Sequence, residues 1–185
     1  MPDQPLSRTQ AIRQLRSDRE RTMHLIEQLP PRAFTRHGLG GGEWSPKDLL
    51  GHLESWEEHA LAALAAWEQG KRAPLDDAPG VDRLNRDEFE RKASRSAKQM
   101  RDASSATHAE LLRVFEGLSD ERWDAPAKAR SRKTLGERMG SILGVALANV
   151  VQSVGAALIA LGVCWIAWAA RSATLPTPAT PDRRG

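Results

Sequence analysis

Apolar residues recur every three or four positions along most of this chain, and nowhere do they alternate with the period of two that marks a half-buried strand. Ser7 with Gln10 forms a capping box that opens a first helix, whose apolar positions Ile12, Leu15, Met23, Ile26 and Leu29 share one side. Pro30 and Pro31 end it. A glycine-rich loop (HGLGGGEW) leads to Ser45-Pro46-Lys47-Asp48, where Ser45 caps, Pro46 suits the first helical turn and Asp48 complements the helix dipole. The second helix then runs to about Gln69, with Leu49, Leu53, Trp56, Ala60, Ala63 and Trp67 at helical spacing. A third, long helix is expected from about Asp82 to Leu118, its inward stripe carried by Leu84, Phe89, Ala93, Met100, Leu111, Phe115 and Leu118. Thr134-x-x-Glu137 is another capping box and starts a fourth helix. The pattern predicts an all-α, up-and-down four-helix bundle.

The fourth helix changes character along its length. From Met139 to Ala170 the chain has 32 consecutive residues without Asp, Glu, Lys or Arg. A bilayer core of about 30 Å takes roughly 20 apolar helical residues. Val150 to Ala170 supplies 21, with Trp165 and Trp168 near one end and Arg171 just beyond. The expected layout is therefore a helical domain over 1–138, an apolar helix over 139–170 with a single transmembrane span at about 150–170, and a disordered Pro/Thr-rich tail over 171–185. The alternative is a long helix buried in a soluble bundle.

Charge refines this layout. Lys128, Arg130, Arg132, Lys133 and Arg138 precede the span closely, whereas only Arg171 follows it at once. That bias places residues 1–138 on the cytoplasmic side, with the basic cluster against membrane lipid headgroups. Residues 1–125 hold 19 basic and 22 acidic residues, a net of −3, so the pI near 9.4 comes from the segments beyond them. Without a concentrated basic face, nucleic acid is set aside as a partner. The one cysteine, Cys164, lies in the apolar run and excludes an internal disulfide. GLGGG follows no strand and precedes no Lys-Ser/Thr pair, so it is no phosphate loop. Gly140-x-x-x-Gly144 and the Gly155/Gly162 pair suit close helix approach, which allows a homodimer.

The stretch EWSPKDLLGHLESWEEHALAAL resembles the second-helix signature of the DinB-like superfamily. VDRLNRDEFERKASRS, followed by SSATHAELLRVFEGLSDERW, is most similar to its ClbS/DfsB branch. The resemblance spans about residues 7–138 and rests on Trp44, Ser45, Asp48, His52, Trp56, Asn85, Phe89, His108, Leu111 and Leu112. It implies a bundle with a ligand cavity between its helices. The activities it implies are metal-dependent thiol transfer, isomerisation, or hydrolysis of an electrophilic toxin. Metal-binding members take one histidine from the second helix and a His-x-x-x-His pair from the fourth. Here His52 matches the first position, but no histidine follows His108. Neither a metal nor any other cofactor is therefore expected, and a non-native C-terminus is one explanation of the departure.

His52, Trp56 and His59 fall on one helix face, at i, i+4 and i+7. His52 is the candidate catalytic residue, with Trp56, His59, Asn85 and Phe89 as a ligand pocket. Against this stands a structural reading, in which His52 is a core histidine bonded to a carbonyl and His59 points outward. Glu54, Glu57 and Glu58 are expected on a solvated face, and His108 as a buried polar spacer. The sequence thus points to a membrane-tethered bundle that binds or detoxifies a small reactive molecule, by hydrolysis or thiol transfer. A non-enzymatic module that sequesters a ligand or pairs with another helix is the alternative.

Overall fold

The computed structural model describes residues 6–38 and 44–144. Among them are six α-helices and no strand; the nearest thing to a sheet is an isolated bridge between Pro126 and Thr134. The helices are α1 (Arg8–Glu27), α2 (Pro46–Glu68), α3 (Val81–Lys92), α4 (Ala97–Gly117), α5 (Asp120–Asp124) and α6, which covers residues 135–144 up to the limit of the described chain.

The helix starts follow the capping chemistry. Ser7 and Ser45 each accept the N3 backbone N–H, while Gln10 and Asp48 bond back to the cap nitrogens. At α6, Thr134 N–H donates to Glu137 Oε2 at 2.7 Å and the Glu137 N–H donates to Thr134 Oγ1 at 3.2 Å. The expected single helix from Asp82 to Leu118 is instead two. Ser96 makes a further capping box with Gln99, which restarts the helix after a break at Ala93–Arg95. Lys47 Nζ donates to the carbonyls of Ala93 and Arg95, both at 3.0 Å, and so satisfies groups that the helix end leaves without partners. Ala93, expected on the inward stripe, is exposed for the same reason.

α4 packs on both α1 and α2, and α3 lies along α2. The main core gathers Leu53, Trp56, Leu111 and Phe115 with Met139, Ile142 and Leu143 of α6. The first residues of the long apolar run are thus core residues of the helical domain. A second, smaller cluster joins Ile26, Phe34, Leu50 and Met100. Gly51 sits where α2 meets α4: a Cβ there would lie 2.9 Å from Met100 Cε. No described helix is long and apolar enough to cross a membrane. The expected span at 150–170 and the tail at 171–185 lie outside the described residues, as does Cys164.

Candidate functional site

Of the 23 residues of α2, 15 are buried. A helix enclosed on nearly all sides cannot turn its polar residues to water, so each of them needs a partner inside the protein. His52, Glu54, Ser55 and Glu57 are all in this position.

On one side of α2 a narrow crevice opens toward α3. It is lined by Trp44, His52, Ser55, Asn85, Glu88, Phe89 and Lys92, among others, with free volume of about 10 Å³. That is space for about one water. Trp44 and Phe89 lie parallel across it, ring centroids 6.1 Å apart and planes within 8°. The His52 ring is tilted against Trp44 at 5.1 Å and meets Trp56 edge-on at 6.2 Å. Its Nε2 is buried with no hydrogen-bond partner. Burial, helped by the nearby Lys92 charge, pushes its pKa down to about 4, so the ring is neutral at physiological pH.

The structure therefore brings His52, Asn85 and Phe89 to one crevice. Trp56 lies behind His52 in the core, 3% exposed. His59 sits further along α2, edge-on to Trp56, with Nε2 3.8 Å from Glu88 Oε1. Burial lowers its pKa against the opposing pull of Glu88 and Glu58. His59 is largely enclosed, so it is not the outward-pointing residue of the structural reading.

The charged surroundings overturn one expectation. Glu54 and Glu57 are not on a solvated face: they are 1% and 6% exposed. Glu54 is held by the Arg95 guanidinium at 2.8 and 2.9 Å and by Lys92 Nζ at 3.1 Å. Lys92 is itself buried and donates further to the Gly51 carbonyl at 3.1 Å and to Glu58 at 3.2 Å. Ser55 Oγ donates to Glu88 Oε2 at 3.0 Å, and Arg91 pairs with both Glu58 and Glu88. Burial raises the Glu88 pKa, but the Arg91 and Ser55 hydrogen bonds outweigh it and hold the carboxyl below its ordinary value. Lys92, Glu88 and Arg95 are the residues that sequence reasoning missed. Apart from the local Glu88–Arg91 pair, the partners that tie them to α2 lie about thirty or more positions away, and a local charge pattern carries no sign of those.

On the other side of α2, Glu57 Oε1 accepts from His108 Nδ1 at 2.6 Å. His108 is thus buried and paired, not a spacer alone. Among the described residues, no three His, Cys, Asp or Glu side chains converge to hold a metal ion. A three-histidine metal centre does not fit the residues present, and no step is derived through one.

The sequence profile of the DinB superfamily matches residues 14–150. No curated protein matches the sequence. Among solved structures, an uncharacterised protein from Escherichia coli UTI89 superposes with a TM-score of 0.70 at 13% identity, over 83% of this chain and 91% of that one. The colibactin self-resistance protein ClbS, solved in complex with double-stranded DNA, superposes with a TM-score of 0.69 at 16% identity, over 84% of this chain and 95% of that one. At these identities the likeness shows the all-α fold.

Proposed function

Because this chain belongs to the DinB superfamily, we propose that it detoxifies a small electrophilic molecule in the crevice between α2 and α3, with His52 moving the proton. The observation that carries this reading is a neutral, buried imidazole whose Nε2 has no partner within a crevice walled by Trp44 and Phe89. A neutral imidazole takes a proton from water or a thiol as the oxygen or sulfur attacks the electrophilic carbon. The O–H or S–H bond breaks, the C–O or C–S bond forms, and the electron pair of the opened bond goes to the leaving atom. With a pKa of about 4, the imidazolium is a stronger acid than an ordinary one and returns the proton to that atom. The relay suits a hydrolase or a thiol transferase without a tightly held metal.

The similarity to ClbS, a self-resistance protein, supports a detoxifying role. Its DNA complex is a property of that protein and is not carried over at 16% identity: residues 1–125 here have a net charge of −3, and the basic residues Lys128, Arg130, Arg132, Lys133 and Arg138 are assigned to lipid headgroups. The membrane tether belongs to the same proposal: residues 1–138 face the cytoplasm and the 150–170 segment anchors them in lipid. Carbonate extraction of membranes bearing the full chain tests this, and release into the supernatant refutes it. The enzymatic reading is tested by following loss of a strained-ring electrophile with water or a thiol as nucleophile. His52→Gln, folded by circular dichroism, is expected to lose turnover. Unchanged turnover in that variant sinks the assignment. Stoichiometric binding without turnover in the wild type favours the sequestering module.

A further inference from the structure

A second polar constellation lies where Arg19 of α1, Glu57 of α2 and His108 of α4 border a partly open cavity of about 30 Å³ that is also lined by Leu15, Leu53 and Leu143. Positions 52 and 57 are five residues apart, about 140° around the helix axis, so this cavity and the His52 crevice use different sides of α2.

The cluster has capacity left over. An ionised carboxylate only accepts, so His108 carries its proton on Nδ1 and gives it to Glu57 Oε1 at 2.6 Å. Glu57 Oε2 is buried without a partner. Arg19 spends one terminal nitrogen on the Ser104 carbonyl and hydroxyl, at 2.5 and 2.7 Å. Its NH1 is also buried without a partner, so NH1 and Glu57 Oε2 are not bonded to each other. Burial lowers the Arg19 pKa, with Glu57 and Glu54 pulling the other way, and the guanidinium stays charged. The other charged group on the cavity, Asp18, accepts from Gln14 at 2.8 and 2.9 Å. One orphaned donor and one orphaned acceptor of opposite charge thus belong to two residues that border the same cavity.

We propose that this cluster is a second binding site, for the neutral amide end of a small molecule. The amide oxygen accepts from Arg19 NH1, and the amide N–H donates to Glu57 Oε2. Charge argues for neutrality. A carboxylate would face Glu57 and Asp18, and an ammonium would face Arg19. Size argues for a small head group, because a cavity of about 30 Å³ takes about two water-sized atoms' worth of space. A primary amide offers acceptor and donor on neighbouring atoms of one carbon. This site does not depend on the chemistry assigned to His52.

The test is a titration of the full chain with formamide and, separately, with formate, its charged counterpart, read from the histidine ring resonances by NMR. His52→Gln and His108→Gln assign the signals. The expected result is a saturable shift of the His108 resonances with formamide, unmoved His52 resonances, and binding at least tenfold weaker for formate. Glu57→Gln is expected to weaken formamide binding at least tenfold, with a thermal melt to show that the variant folds. Should it fail to fold, the comparison of formamide with formate in the wild type still decides the matter. Equal binding of both probes, a response at His52 alone, or a shift that never saturates overturns the proposal; the last means that the cavity holds only water. None of these outcomes bears on turnover at His52.

Discussion

The depressed pKa of His52 makes the stability of this domain fall in mildly acidic solution. In the folded protein the imidazole titrates at about 4, against 6.5 when unfolded. As pH falls below about 6.5 the unfolded chain takes up this proton first, so it is favoured. The stabilisation is whole above that value, is lost between about 6.5 and 4, and is level below. A gap of about 2.5 units amounts to about 3 kcal/mol, of which about 2 kcal/mol is gone by pH 5. That is a large part of the ~5–15 kcal/mol total for a small domain. Urea unfolding of wild type and His52→Gln at about pH 7.5 and about pH 5 isolates the effect, because His59 and the paired carboxylates titrate in both proteins. The wild type is expected to lose about 2 kcal/mol more than the variant on acidification. Equal losses would mean that the imidazole is not buried in its neutral form, and the proton relay assigned to it would fall too.

Other perturbations probe the frame around the site. In Gly136→Ala the new Cβ would lie 2.2 Å from Trp123 Nε1, which donates to the Leu6 carbonyl at 3.0 Å. It is expected to cost about 1–3 kcal/mol and to red-shift tryptophan emission, and an unchanged melt would contradict the packing described. Lys92→Met strips a buried partner from Glu54 and is expected to cost about 3–5 kcal/mol by chemical denaturation. Adding Glu54→Gln should restore part of that, and strictly additive effects would show that the pair is not coupled. Purified full-length protein is expected to hold substoichiometric zinc and nickel by elemental mass spectrometry. A full equivalent that vanishes in His52→Ala would reveal a metal centre completed by other residues.

The helix starts were legible because capping is local chemistry: Ser7, Ser45 and Thr134 each announce themselves with a partner three residues on. Leu53 and Trp56 were legible as core residues from spacing alone. The break between α3 and α4 used the same signal, Ser96 with Gln99, but continuous apolar spacing through Phe89, Ala93 and Met100 overrode it. Glu54 and Glu57 were misread because burial of a carboxylate is decided by its partners. Arg95 is 41 positions from Glu54 and His108 is 51 from Glu57. No pattern within one helix encodes such pairings. His52 was placed by its motif, yet the motif carries no hint of the parallel Trp44 and Phe89 rings beside it.

The way α3 is attached sets the toll for any guest of the crevice. Among its residues only Lys92 is buried, so little oily surface glues this helix down. What fastens it to α2 is charge: Arg91 to Glu58, Lys92 to Glu54 and Glu58, and Glu88 to Ser55. With space for about one water, the crevice admits nothing larger until α3 swings outward. Ions in solution screen exposed attractions such as that of Arg91, while apolar contacts are untouched by them. The seam between α2 and α3 should therefore loosen in salt, and the oily interface between α2 and α4 should not. Ionic strength thereby acts on the entrance through its exposed Arg91 pairs, and a guest would enter most easily where salt has slackened those fastenings.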